Sequence, residues 1–258
     1  MSEPAESSAQ NQKWWSKALM VGAIVGLVAL PLGALGSRLG IWPFTAGFLL
    51  LAVGVVLATI AFFLGLIGAV YANSKGWSVD RRQCLIGVAI GVVILGLMGN
   101  QFMTASSVPP IHNISTDTMD PPQFDKIAAI REAQEGLNPL PYDADVLAEQ
   151  QRAAYPYVKP LVSSTGASAM FSQAVDAVND LGFELVSADE SNGIVEATDT
   201  TFWFGFKDDV VIRIRSEGGG SVVDIRSVSR VGQSDLGKNA ARIGEMLWIG
   251  GTELAVIN

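Results

Sequence analysis

The chain is 258 residues long, carries a formal net charge of −8 and has one histidine and one cysteine. The charge is uneven: residues 1–103 hold six basic and three acidic side chains, residues 104–258 eleven basic and 22 acidic. The acidity of the second part argues against nonspecific binding to nucleic acid or to an anionic membrane surface, and a lone Cys84 rules out an intrachain disulfide.

Three stretches near the N-terminus, Ala18–Leu35, Phe44–Tyr71 and Cys84–Phe102, contain no Asp, Glu, Lys or Arg. About 20 apolar residues span the hydrocarbon core as a helix, and in lipid the backbone must satisfy its own hydrogen bonds, so these are predicted membrane helices. Lys13 and Lys17 precede the first; Lys75, Arg81 and Arg82 lie between the second and third. The other side has Arg38, and no basic residue lies between Phe102 and Lys126. Five against one predicts a cytoplasmic N-terminus and, after three crossings, residues 104–258 outside, in the periplasm if the bilayer is a bacterial inner membrane. The basic start and the small residues of Gly33–Ser37 also suit a cleaved signal peptide. The apolar run of about 18 residues favours a retained span instead. Gly22–Gly26 and Gly87–Gly91 have the small-xxx-small spacing that lets helices approach closely. The expected use is packing within the chain; the alternative is a homo-oligomer through the Gly-rich spans. Spans without charge disfavour ion or proton transport.

Residues 1–17 thus read as a cytoplasmic tail, 18–102 as the transmembrane region, 103–123 as a Pro-rich arm and 124–258 as an extracytoplasmic domain. Pro109, Pro110, Pro121 and Pro122 force extended backbone before them, so the arm is not a helix. Ile111, Ile114 and Phe124 are its apolar anchors onto the domain. Phe124–Glu135 and Asp143–Ala154 read as short amphipathic helices, followed by an extended Pro156–Pro160 segment. Ser168–Leu181 is the clearest helix: Met170, Phe171, Ala174, Val178 and Leu181 recur at helical spacing, and Gly182 stops it. Phe183–Ala188 and Ile194–Thr198 flank a turn as a hairpin, and Phe202, Phe204 and Phe206 alternate like a strand. In the second hairpin a four-residue loop, Glu217–Gly220, sets Arg213 opposite Asp224 and Val211 opposite Arg226. One face then carries Val210, Ile212, Ile214, Val223 and Ile225 as core. Ser234 is the expected N-cap of a last helix with Leu236, Ala240, Ile243 and Leu247 as its apolar stripe. The predicted class is α+β, an antiparallel sheet with helices on one face.

Gly232–Asn239 comes close to the phosphate-cradling G-x-x-x-x-G-K-[ST] loop, but Asn239 stands where the magnesium-binding hydroxyl belongs. Seven of the domain's eleven basic residues fall between Lys207 and Arg242. Arg226, Arg230, Ser234, Lys238 and Arg242 are therefore the candidate anion site, converging at the start of the last helix. The structural alternative is ion pairing of helix to sheet with Asp224 and Asp235. His112, with Asp117 nearby, is too sparse for a metal site and suits hydrogen bonding in the arm. No catalytic set assembles around the single imidazole, and no metal or cofactor is expected. Trp203, pointing away from the Phe face, is the candidate partner contact.

Ile-His-Asn-Ile-Ser-Thr-Asp at 111–117, Pro-Pro-Gln-Phe at 121–124, Tyr-Pro at 155–156 and Ser-Arg-Val-Gly-Gln-Ser-Asp-Leu-Gly-Lys-Asn-Ala-Ala-Arg-Ile at 229–243 together resemble the bacterial and plastid domain of unknown function 1499. Members of that family often carry N-terminal membrane spans, and their Tyr-Pro pair is commonly followed by Asp, where this chain has Tyr157. The resemblance implies no activity; it marks the stretches around His112–Asp117 and Arg226–Arg242. The expected function is a non-enzymatic binding or assembly module, bilayer-anchored and serving an envelope or membrane complex. The alternative is an enzyme acting on an anionic envelope or lipid substrate.

Overall fold

A computed structural model describes residues 12–249, so residues 1–11 of the expected cytoplasmic tail lie outside the described part. The chain divides into two compact units, residues 1–103 with Trp203–Gly205, and the rest.

The first unit is built on α1 (Trp14–Arg38), α2 (Phe44–Ser74) and α3 (Ser78–Ser107). All three are long and apolar enough to cross a membrane. Each contains its predicted span and extends past it, because helical hydrogen bonding continues beyond the first charge. Close packing of α1 on α2 rests on glycine. A Cβ on Gly33 would lie 2.7 Å from the Gly47 carbonyl, and one on Gly26 would lie 2.8 Å from that of Gly54. Gly91 meets Ala58 and Phe62 in the same way. The carboxylate of buried Asp80 accepts bonds from the Lys13 N–H (2.9 Å) and the Ser16 hydroxyl (2.5 Å), tying the start of α3 to the start of α1.

The second unit is an α+β domain. Its strands are β1 (Asn113–Ser115), β2 (Leu161–Ser163), β3 (Glu184–Asp189), β4 (Ile194–Thr200), β5 (Lys207–Glu217) and β6 (Gly220–Ser229). β3 to β6 form an antiparallel meander, and β1 and β2 both pair with β6 along its outer edge. Its helices are α4 (Lys126–Glu132), α5 (Ala144–Ala154), α6 (Ala167–Asp180) and α7 (Lys238–Ile249). The core lies between the sheet and α6 and α7. Val195, Ala197, Val210, Ile212, Ile214, Val223 and Ile225 face Met170, Phe171, Val178, Ala240, Ile243 and Leu247. The predicted register holds: Arg213 pairs with Asp224 and Val211 with Arg226.

Two local expectations change, and one strand appears for which none was stated. The loop of the β5–β6 hairpin has two residues, not four. Gly218 (φ 56°) and Gly219 (φ 88°) turn the chain and Glu217 pairs with Gly220, which leaves the register intact. Phe202–Phe206 is a turn and not a strand. Thr201 N–H donates to the Phe206 carbonyl (2.8 Å), Phe206 N–H donates to the Thr201 hydroxyl (2.9 Å), and Gly205 takes φ 68°. The added strand is β2, just after Pro160 and too short to show alternation in the sequence. The arm is part of the fold: Ile111 and Ile114 are in the core and β1 extends the sheet. Gln151 of α5 completes β1's outer edge, its amide donating to the Ser115 carbonyl (2.7 Å) and accepting from the Ser115 N–H (3.0 Å).

Candidate functional site

Side chains alternate across a strand, so residues next to the core residues of β4, β5 and β6 point to the opposite face. That face is polar: Glu196, Thr198, Asp209, Arg213, Asp224 and Arg226, with Arg230 just beyond β6. It is covered by the arm, α4 and residues 138–142, and most of these groups are buried. A buried charge must be paired or hydrogen-bonded to be tolerated. Asp209 lies at the centre. It accepts a fork from Arg230 Nε (2.9 Å) and Nη2 (2.8 Å), a bond from Arg131 Nη1 (3.1 Å) and one from the Thr198 hydroxyl (2.8 Å). Burial lowers the Arg131 guanidinium, against the raising effect of Asp209. Arg131 also donates to the Asn138 carbonyl, so α4 and the 138–142 segment are clamped to β5 together.

Among the described residues Arg226 is the largest fully buried side chain, 1 % exposed. Its Nε donates to Asn113 Oδ1 (3.0 Å), Nη1 to the Pro122 carbonyl (3.0 Å) and Nη2 to the Leu140 carbonyl. The rings of Phe124 and Tyr142 lie 5.4 and 5.9 Å from its guanidinium carbon. These acceptors are neutral, and burial pushes the group down to about 10, which leaves it charged at neutral pH. Glu196, fully buried on β4, accepts from the N–H groups of Asp125 and Ile127 (2.9 Å) and so caps α4 from the sheet. Asp224 takes Arg213 (2.9 Å) and Arg215 (2.7 Å), and Arg213 reaches on to Asp120 (2.8 Å).

A second polar cluster sits among the core residues on the helix face. Arg242 of α7 bonds Asp199 (2.5 Å), Asp208 (2.7 Å), the Ser227 hydroxyl (3.1 Å) and Asn239 Oδ1 (2.7 Å). Asn239 donates to the His112 carbonyl (3.0 Å) and the Ser229 hydroxyl (2.9 Å), joining arm, sheet and helix. A buried amide with both ends used explains why Asn stands at the position where a phosphate loop has Ser or Thr.

The five residues expected to converge do not meet at one point. Arg226 and Arg230 share the polar face, Arg242 lies on the opposite one and Lys238 is exposed at the start of α7. Ser234 does not cap α7: its hydroxyl accepts from Leu236 N–H (3.2 Å), and Leu236 (φ 55°) lies outside the helix and its stripe. The cap is Asp235, accepting from Gly237 N–H (2.8 Å) and Asn239 N–H (2.7 Å). Burial pushes this carboxyl up, while those two bonds pull it down. The chain's own carboxylate thus fills the helix terminus an external anion would use. His112 joins the network through its carbonyl, which also accepts from Ser229 N–H (2.9 Å). Asp117 organises its own turn through Met119 and Asp120 N–H (both 2.9 Å) and lies 3.6 Å from Arg213. Trp203 is 55 % exposed in the β4–β5 turn.

Sequence reading missed Asp209, Asp199, Asp208, Glu196, Arg131, Asn113 and Asn239. One signal was present: adjacent Asp208 and Asp209 must point to opposite faces, and on a strand this deep each needs its own cation. Chemically, the arrangement is a set of buried ion pairs that join the arm, α4 and α7 to the sheet. Residues 113–248 match the model of a family described as protein of unknown function (DUF1499). No curated protein matches the chain.

Proposed function

The chain belongs to the DUF1499 family, and from that premise we propose that it is a membrane-anchored binding or assembly module, non-enzymatic, displayed outside a bacterial inner membrane. The single observation behind this reading is the state of the basic cluster. Arg226, Arg230 and Arg242 are buried, and each is bonded to acceptors of the chain itself. A substrate anion would have to displace Asp209, Asp199 or Asp208 from geometry already bidentate or doubly paired. The five-to-one asymmetry of basic residues around the spans supports a cytoplasmic N-terminus and a periplasmic domain. The partner is then an envelope or membrane protein complex.

Crosslinking and affinity capture of the intact protein from membranes tests the reading, with thermal melts in phosphate and sulfate as the second arm. A defined protein captured reproducibly, with melting temperature unchanged by either anion, is the expected result. An anion-dependent rise that Arg230→Ala abolishes would instead favour an enzyme or receptor for an anionic envelope or lipid substrate.

A further inference from the structure

The first unit gathers positive charge that its own carboxylates do not neutralise. Lys13, Lys17, Lys75, Arg81 and Arg82 stand around the start of α1, the end of α2 and the start of α3. Asp80 is the only carboxylate among the described residues of this unit. It is already taken, by the Lys13 N–H (2.9 Å) and the Ser16 hydroxyl (2.5 Å). Among the described residues no salt bridge reaches any of the five cations. Three of them have neutral partners. Lys13 Nζ lies 4.8 Å from the centre of the Trp77 ring, Lys75 Nζ lies 5.8 Å from that of Tyr71, and Arg81 Nη1 donates to Asn73 Oδ1 (2.8 Å). Arg82 is exposed and has no partner of either kind among the described residues.

We propose that the face of α3 beginning at Arg82 is a site for an anionic phospholipid, with the phosphate on the guanidinium and an acyl chain along the helix. Ser78, Arg81 and Arg82 line one end of an open groove of about 580 Å³, and Leu85, Ile86 and Ala89 continue it along α3. Polar groups thus meet at one end and an apolar wall leads away from them, as the two halves of a lipid require. From Arg82 to Ala89 the helix rises about 10 Å, a third of the hydrocarbon core. Arg82 stands two positions before the uncharged span Cys84–Phe102, so its side chain reaches headgroup depth when that span lies in hydrocarbon. A guanidinium is weakly hydrated and takes a phosphate through two parallel bonds. Every span in a bilayer touches lipid; what the unneutralised cations add is a choice of headgroup. A zwitterionic headgroup carries its own ammonium beside the phosphate, and five cations without a carboxylate repel it. A headgroup with net negative charge is therefore preferred. The site lies wholly within the first unit, so its occupancy is separate from any assembly partner of the α+β domain.

The test is native mass spectrometry of the purified full chain in a mild detergent, titrated with phosphatidylglycerol, phosphatidylcholine or inorganic phosphate. Phosphatidylglycerol is expected to bind about tenfold more tightly than phosphatidylcholine. Arg82→Gln, which keeps helix propensity, is expected to abolish that preference. Lys159→Gln, which removes an exposed charge of the other unit, is expected to leave it intact. Equal binding of the two lipids by the parent chain, or a preference that survives Arg82→Gln, overturns the proposal. Phosphate bound as tightly as phosphatidylglycerol also overturns it, since the apolar wall then contributes nothing. If Arg82→Gln does not fold, a phosphatidylglycerol with a photoactivatable acyl chain reads the site on the parent chain. Adducts concentrated in residues 78–89 are expected, and adducts spread evenly over the three spans overturn the assignment.

Discussion

At the scale of single residues, the polar groups that look most like a site are the ones that hold the domain together. Asp209 shows why. It is fully buried between two guanidiniums, and removing Arg230 takes away the two-pronged partner and leaves only the single Arg131 bond and the Thr198 hydroxyl; breaking a buried pair in this way costs about 3–5 kcal/mol. Arg230→Ala is expected to lower stability by that amount. Arg230→Lys is expected to lower it by about 1–3 kcal/mol, since an ammonium cannot reproduce the two-pronged bond. Thermal melts of the intact protein in detergent, followed by intrinsic fluorescence, measure both; a melting temperature for Arg230→Ala close to that of the parent would remove this structural role. Tyr155 is the opposite case. Its hydroxyl is buried with no bonding partner among the described residues, and burial pushes it up to about 12, as it does Tyr142. A phenol whose folded value is raised contributes stability that is full below pH 10 and is lost as pH rises through 12. Tyr155→Phe removes an unsatisfied polar group, so stability at pH 7 is expected to hold or rise. The alkaline loss between pH 10 and 12 is expected to shrink, and urea titrations across that range read both effects.

At the scale of elements, backbone conformation and close approach decide what the chain tolerates. Gly193, in the β3–β4 turn, has φ 65°, and a Cβ there would lie 2.2 Å from the Ile214 carbonyl of β5. Gly218 has φ 56° and open space around it. Gly218→Ala is thus expected to cost about 1–2 kcal/mol from the left-handed conformation alone, and Gly193→Ala about 3 kcal/mol, as a backbone clash adds to it. Equal losses in paired denaturant titrations would contradict the geometry. The membrane helices follow the same logic. Gly33→Ile forces α1 away from the Gly47 carbonyl, whereas Gly96→Ile meets open space. The first is expected to destabilise the intact protein in detergent and the second to leave it unchanged. If Gly96→Ile instead shifts the size of the detergent-solubilised particle, that glycine is packing a second copy of the chain.

At the scale of the whole molecule, orientation is carried by a handful of basic residues and not by the fold. A phosphatase fused after Asn258 is expected to be active and a fluorescent protein that matures only in the cytoplasm to be dark; the reverse pair would invert the topology. The spans, the α+β class, the β5–β6 register and the last two helices were legible in the amino-acid sequence. Each depends on periodicity or on an uninterrupted apolar run, and both are local properties of the chain. The family resemblance was legible too, in the motif running from Ser229 to Ile243. The partners of the charges were not legible. Arg226 and Arg242 are 16 positions apart and look alike in sequence, yet one is held by carbonyls and aromatic rings and the other by two aspartates on the opposite face. Asp235 rather than Ser234 caps α7, because Leu236 and Gly237 in left-handed conformations delay the helix to Lys238. The aromatic run at 202–206 alternates as a strand would, but Gly205 and the Thr201–Phe206 bonds bend it into a turn. Sequence alone determined where the apolar surface lies and how it repeats, since burial of that surface drives the choice of element. Only the tertiary structure decided which buried charge meets which, because that pairing depends on segments up to about a hundred residues apart being brought within 3 Å.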